Sequence, residues 1–109
     1  TFIFKGTKEV PKRVLNDKRK TIGIRVPNNK IALDLLMELG EPLMSSSLLL
    51  PGDEFAESDP DEIRQRLEKQ VDLVIHGGYL GEKPTSVIDF SEGEPNILRY
   101  GEGDTSQFE

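Results

Sequence analysis

The sequence has no cysteine, one histidine and no apolar run of membrane-spanning length. The lack of cysteine excludes disulfide bonds and thiolate metal sites. The single histidine, His76, cannot build a histidine-rich metal site. A membrane helix needs about 20 consecutive apolar residues, and a secretory signal needs a charged segment before an apolar core. We therefore expect a soluble cytoplasmic protein with no membrane partner, and 109 residues suffice for one small domain.

Charge is distributed unevenly along the chain, whose formal net charge is −6. Residues 1–30 contain nine Lys or Arg and two acidic residues, whereas the other 79 residues contain five and eighteen. A basic first third on an acidic body is compatible with an anionic ligand near that first third. A solvated, lysine-rich loop is an equally open interpretation.

Hydrophobic periodicity predicts six strands and two helices in the order β-β-α-β-α-β-β-β. The strands are expected at 1–5, 21–26, 42–50, 71–75, 85–90 and 97–100. One helix should span Lys30–Leu39 and stop at Gly40, and a second should begin at Asp59-Pro60. This order predicts an α/β fold with a mixed sheet, parallel in the middle and antiparallel at the end.

The two ends of the chain carry separate expectations. The first residues already have a strand pattern with no lead-in, so we expect the chain to be the carboxyl part of a longer protein. Residues 101–109 are small, polar and acidic, and they predict a loose tail.

Three serines, Ser45–Ser47, lie between two apolar runs and could face a phosphate or another polar ligand at the end of a strand. Hydroxyls that bond to the nearby backbone are the alternative, and composition favours it. No G-x-S-x-G elbow surrounds these serines, so a Ser-His-acid triad is not expected. His76, followed by two glycines, could be a base beside a flexible loop, but a lone histidine at a strand end is more often structural. The acidic residues at 53–61 fit no calcium loop and indicate a solvated connection.

Arg25 and Arg99 stand within strand-like runs, where a cation is costly unless it meets an anion. Thr21, Gly23 and Arg25 alternate onto one strand face, which offers a hydroxyl, a bare backbone and a guanidinium. Such a face suits a phosphate or a carboxylate ligand. Pairing of these arginines with Asp or Glu on a neighbouring strand remains the alternative.

The runs TFIFKGTKEVPK, KRKTIGIRVPNNKIALDLLMELGEPLMSSSLLLPGDEF and VDLVIHGGYLGEKPTSVIDFSEGEPNILRYGEGD resemble the YrdC-like family, in its YciO branch. The resemblance runs the whole length of the chain and covers the carboxyl half of the family's domain. It implies that residues 1–109 form part of one twisted, mixed α/β sheet with flanking helices around a positively charged concave surface. It also implies synthesis of L-threonylcarbamoyladenylate from threonine, bicarbonate and ATP, a nucleotidyltransferase step towards tRNA threonylcarbamoyladenosine.

The resemblance assigns binding roles residue by residue and assigns no catalytic proton transfer. The residues that would hold the nucleotide are Thr21, Ser47 and Arg99. Those that would hold the threonine or carbamate are Arg25, Ser45 and Thr85. Leu49 stands where the family has an asparagine, and leucine cannot form that residue's hydrogen bonds.

Two functional hypotheses follow from the resemblance. In the first, the full protein uses ATP as a substrate, together with Mg²⁺ and without a tightly bound cofactor. Residues 1–109 alone should be inactive, because the family's upstream K-x-R pair lies outside them. In the second, the protein is a non-catalytic module for double-stranded RNA or tRNA, bound through Lys18, Arg19 and Lys20.

Overall fold

The computed structural model describes residues 1–80 and 83–109. The α-helices and strands are β1 Phe2–Lys5, β2 Thr21–Ile24, α1 Lys30–Leu39, α2 Pro60–Leu67, β3 Val87–Asp89 and β4 Asn96–Arg99. Short 3₁₀ helices cover Lys12–Val14 and Ser106–Phe108. The chain divides into two compact units, residues 1–44 with 84–109 and residues 45–83.

The first unit is built on a four-stranded sheet with the strand order β2-β1-β3-β4. The two central strands, β1 and β3, are parallel. Each edge strand is antiparallel to its neighbour, β2 to β1 and β4 to β3. The predicted α/β class and mixed sheet are therefore confirmed, with the parallel pair in the middle.

Strand alternation gives the sheet one apolar face. Phe2 is opposite Ile24 in the register, and Phe4 is opposite Ile22. On the other side of β1, Phe2 is level with Ile88, which is only 3 % exposed. These residues share a face because side chains two apart on a strand point the same way. The core of the first unit therefore lies on this face.

Aromatic rings from both ends of the chain meet on the apolar face. The rings of Phe4 and Phe90 stack with their centroids 5.5 Å apart. Phe108, from the final 3₁₀ helix, meets Phe2 and Phe90 edge-on at 5.8 and 5.7 Å. Thr105 is buried as well. Thr105 and Phe108 are thus packed, in contrast to the loose tail expected for 101–109, because the ring of Phe108 covers apolar surface.

Both predicted helices are confirmed, with capping side chains. The side chain of Asn29 accepts a hydrogen bond from the amide of Ala32 at the start of α1. Gly40 ends α1 with φ at +74°, a conformation that favours glycine. Asp59 caps α2, with Pro60 as its first residue. No helix among residues 1–80 and 83–109 is long and apolar enough to cross a membrane.

Three predicted strands differ from the structure. The stretches 42–50 and 71–75 contain no strand, although both are rich in apolar residues. Neither finds a partner strand within the described parts of the chain, and a strand requires a paired neighbour. The second strand ends at Ile24, so Arg25 follows the strand directly. The observed order of α-helices and strands is β-β-α-α-β-β.

Candidate functional site

The face opposite the phenylalanines is polar and open. Ile3 is opposite Gly23 in the register, and Lys5 is opposite Thr21, so all four residues lie on this second face. Because glycine has no side chain, the backbone at Gly23 is bare. A Cβ there would meet only the methyl group of Thr1, at 3.9 Å. We call this surface, with the residues at its margins, the polar face.

Thr85 and Arg99 meet at one end of the polar face. The guanidinium of Arg99 donates from Nε to the carbonyl oxygen of Thr85 at 2.7 Å and from Nη2 to its hydroxyl at 3.0 Å. The same hydroxyl lies 3.0 Å from the hydroxyl of Thr1. Two of the residues proposed from the sequence are thus in direct contact, and the rest of the guanidinium keeps donors for a ligand.

Arg25 and Arg99 both lie near the backbone nitrogen of Thr1, close enough for their positive charges to act on it. Neither arginine forms an ion pair with a carboxylate in residues 1–80 or 83–109. The alternative of a neighbouring Asp or Glu partner therefore finds no support in that part of the chain. This end of the polar face has a positive potential.

Ser86 holds this end together, a role that sequence reasoning missed. Its buried hydroxyl donates to the carbonyl oxygen of Gly103 at 2.6 Å and accepts from the amide of Gly101 at 3.0 Å. A Cβ on Gly101 would lie 2.3 Å from the carbonyl oxygen of Pro84, so only glycine fits. These contacts clamp residues 84–86 against 101–103. The only signal in the sequence was the glycine pair at 101 and 103.

Ser45 and Ser47 belong to the second unit and are exposed in a stretch without regular structure. The hydroxyl of Ser46 donates to the carbonyl oxygen of Ser47 at 3.1 Å, as expected for serines that bond to the nearby backbone. Leu49, at the position of the family's asparagine, is 55 % exposed. The serines are exposed, as a ligand contact requires.

The basic loop of the first unit is held in a defined turn. The side chain of Asn16 accepts hydrogen bonds from the amides of Lys18 and Arg19. Lys20 has φ at +57°, and its carbonyl oxygen accepts from the amide of Gly6 at 2.8 Å. The side chains of residues 18–20 are exposed. The turn thus presents three cations to solvent from a fixed backbone.

Two further sequence features, the single histidine and the acidic residues, were considered as possible functional groups. Nδ1 of His76 accepts a hydrogen bond from the amide of Gly78 at 3.3 Å, which is a structural contact. No group of three or more His, Cys, Asp or Glu within the described ranges could hold a metal ion.

The chain is thus an α/β protein whose mixed sheet has one aromatic face and one polar face with two arginines at its end. The model of the Sua5_yciO_yrdC family, described as "Telomere recombination", matches residues 1–101. The chain belongs to this family.

Relatives and a solved structure agree with that assignment. The chain is 66 % identical over 108 residues to "Uncharacterized protein YciO" of Escherichia coli K12, covering 99 % of this chain and 52 % of the relative. It is 33 % identical over 88 residues to a "Putative threonylcarbamoyl-AMP synthase" of Mycobacterium leprae, covering 80 % and 39 %. The crystal structure of E. coli YciO superposes with a TM-score of 0.89 at 65 % identity, covering 98 % and 52 %. The chain spans about half the length of the E. coli relative it matches.

Proposed function

We propose that the full protein binds ATP, bicarbonate and a small amino acid. It would join AMP to the carbamate of that amino acid, as a threonylcarbamoyl-AMP synthase does. The family assignment supports this proposal, as does the printed name of the Mycobacterium leprae relative. The nucleotide would contact Thr21, Ser47 and Arg99, and the amino acid or carbamate would contact Arg25, Ser45 and Thr85.

The observation that carries the proposal is the pair of arginines at the end of the polar face. Arg99 touches Thr85 through two hydrogen bonds. Arg25 and Arg99 both lie near the backbone nitrogen of Thr1, so the two guanidinium groups belong to the same end of the polar face. Two guanidinium groups without a described carboxylate partner, beside a hydroxyl and the bare backbone of Gly23, suit the phosphate and carboxylate groups of these substrates.

The chemistry asks the protein for positioning and for charge stabilisation. The amino group of the amino acid and bicarbonate condense to a carbamate with loss of water. A carbamate oxygen then attacks the α-phosphorus of ATP, and the bond from that phosphorus to pyrophosphate breaks as the adenylate forms. Both participants are anionic, so the arginines would hold them together and stabilise the charge that develops on pyrophosphate. Mg²⁺ would enter with the ATP phosphates as part of the substrate. No protein side chain needs to transfer a proton in this step.

The test is adenylate formation from radiolabelled ATP, threonine and bicarbonate by the full-length protein. Arg99→Ala should lower kcat/KM by about 100-fold, the typical loss when one charge-stabilising donor is removed. Arg64→Ala is the matched control, because Arg64 is exposed and its ion pair among the described residues is with Glu68, at the end of the same helix. It should retain wild-type turnover.

Two results would overturn the proposal. Adenylate formation that Arg99→Ala leaves unchanged would remove Arg99 from the site. A full-length wild-type protein that binds ATP without forming any adenylate would limit the function to nucleotide binding.

The rigid basic turn supports a second candidate function, binding to double-stranded RNA or tRNA. Asn16 fixes the backbone so that the three cations at 18–20 are exposed together. Such cations would contact phosphates, and the released counterions would make the affinity fall steeply with salt. The basic charge of residues 1–30 adds to this attraction.

An RNA titration at several salt concentrations tests this candidate. Replacing Lys18, Arg19 and Lys20 together by Gln should reduce the slope of log K against log salt by roughly 2–3. Lys69→Gln, an exposed lysine of the second unit, should leave the slope unchanged. Absence of duplex RNA binding by the wild type at low salt would rule the candidate out.

A further inference from the structure

A cleft of about 520 Å³ lies at the other end of the polar face from Arg25 and Arg99. Its walls combine two cations, two carboxylates and three neutral polar residues: Lys5, Arg19, Asp89, Glu92, Thr21, Ser91 and Asn96. Lys5 and Thr21 are register partners on β1 and β2, and Asp89 and Asn96 are partners on β3 and β4. The cleft therefore spans all four strands.

The opposite charges in this cleft do not pair with one another. Among the residues that the structure describes, none of the four charged side chains has an oppositely charged atom within 4.0 Å. Elsewhere in the chain, Arg66 does form such pairs, with Asp53 and Glu57. Each charged side chain of the cleft therefore lacks an opposite charge close by. A ligand that carries both a positive and a negative group could provide these opposite charges.

Asp89 is fixed as the cleft's carboxylate. One of its oxygens accepts a hydrogen bond from the amide of Ser91 at 2.8 Å. The hydrogen bonds from Ser91, and then the positive charge of Arg19, hold the pKa of Asp89 below its usual value. The side chain is half-buried and is ionised at neutral pH, so it presents a negative charge to the cleft.

The balance of charge decides which ligands the cleft favours. A nucleotide polyphosphate would face the two carboxylates, and a polyamine would face the two cations, so each would meet repulsion. A small zwitterion would place its amine near Asp89 and Glu92 and its anionic group near Lys5 and Arg19. Leu98, which is 49 % exposed at the wall, would contact the methylene groups between them.

We propose that this cleft binds a small zwitterion that carries an amine and a carboxylate or phosphate group. This ligand site is separate from the proposed site for ATP and the carbamate, and Thr21 is the one residue that belongs to both. Its charged residues are different from those that would hold ATP or the carbamate, so the two proposals can fail separately.

Calorimetric titration of the full-length protein with a matched ligand set tests the proposal. The set comprises 4-aminobutyrate, butyrate and butylamine, which share a four-carbon chain. The first carries both charges, the second only the negative charge and the third only the positive charge. The zwitterion should bind at least about tenfold more tightly than either singly charged analogue, because each charge-assisted contact contributes about 1.5–3 kcal/mol, or more than tenfold. Glycine, 6-aminohexanoate and phosphoethanolamine then give the preferred charge separation and distinguish carboxylate from phosphate.

Variants assign the binding to this cleft. Asp89→Asn should weaken 4-aminobutyrate binding by at least about tenfold, since the amide keeps an oxygen for Ser91 but loses the charge. Lys5→Met should produce a similar loss from the anionic side. Glu92→Gln is a second test of the acidic side at an exposed position, where folding is not at risk. Glu94→Gln and Lys8→Met, exposed and outside the cleft, should bind as the wild type does.

The outcomes separate this proposal from the proposed function. Arg99→Ala should lower kcat/KM for adenylate formation by about 100-fold and leave 4-aminobutyrate affinity unchanged. The cleft proposal is overturned if butyrate binds as tightly as 4-aminobutyrate, if Asp89→Asn and Glu92→Gln both bind normally, or if no zwitterion in the set binds at all.

Discussion

Arg66 connects the acidic stretch of the second unit to α2. Its two terminal nitrogens donate to both carboxylate oxygens of Asp53 at 3.0 and 3.1 Å, and one of them also reaches Glu57 at 3.4 Å. A bidentate pair fixes orientation as well as charge. The sequence predicted a solvated acidic connection, and periodicity could not reveal that one arginine, thirteen residues from Asp53, anchors it.

This pair makes the pKa of Asp53 sensitive to one substitution. Hydrogen bonds from Arg66, and then its charge, hold the pKa of Asp53 below the ordinary 3.8. Arg66→Gln should raise it towards that value, as measured by NMR titration of the carboxyl carbon. Since the folded pKa is lowered, the stabilisation from the pair is present above about pH 4 and is lost as pH falls through the lowered pKa. Arg64→Gln is the control, and an equal rise in that variant would contradict the prediction.

Ser86 has a structural effect that the sequence did not indicate. The Ser86→Ala substitution leaves the amide of Gly101 and the carbonyl oxygen of Gly103 without their buried partner. We expect the free energy of unfolding to fall by about 1–3 kcal/mol, measured by urea denaturation of the full-length protein. Ser46→Ala removes an exposed hydroxyl bond and should cost within about 0.5 kcal/mol. Equal losses in the two variants would show that the Ser86 contacts carry no special stabilisation.

At the scale of elements, both helices and the four observed strands could be predicted from the sequence, whereas two further predicted strands do not form. Helix signals are local: Asn29 and Gly40 bracket α1, and Asp59-Pro60 begins α2. A strand needs a partner that is distant in sequence, so the apolar runs at 42–50 and 71–75 suggested strands without pairing. The contact between Thr85 and Arg99 could not be predicted for the same reason. The family motif indicated both residues, but their contact depends on the β3–β4 register.

The cap of α2 provides a test at this scale. Asp59 accepts hydrogen bonds from the amides of Asp61 and Glu62 at 2.9 and 3.5 Å. Asp59→Ala should reduce stability by about 0.5–2 kcal/mol, whereas Asp59→Asn should remain near wild type because asparagine caps equally well. Thermal or urea unfolding measures both. A loss of the same size in the asparagine variant would mean that charge, and not the cap geometry, stabilises the helix start.

At the scale of the whole molecule, hydrophobic burial is concentrated around the sheet. Ile88 is the one hydrophobic side chain classed as buried within the described ranges. In contrast, Leu35, Leu39 and Met37 of α1 are 45, 46 and 80 % exposed. Sequence periodicity correctly placed α1 but could not give its burial, because burial depends on what covers a face. The few ring contacts on the sheet's apolar face therefore carry a large share of the packing in the first unit.

Phe108 closes that face by bringing the last residues of the chain against the first and third strands. Its ring meets those of Phe2 and Phe90 edge-on, an arrangement that adds about 0.5–1.5 kcal/mol per pair beyond area burial. Phe108→Ala should lower the free energy of unfolding by about 2 kcal/mol, below the 3–5 kcal/mol of a fully buried phenylalanine, because the ring is partly exposed. Phe55→Ala is the matched control at a 61 % exposed site. Urea denaturation of both variants decides the point: a Phe108→Ala loss no larger than that of Phe55→Ala would mean that the end of the chain rests on the sheet without stabilising it.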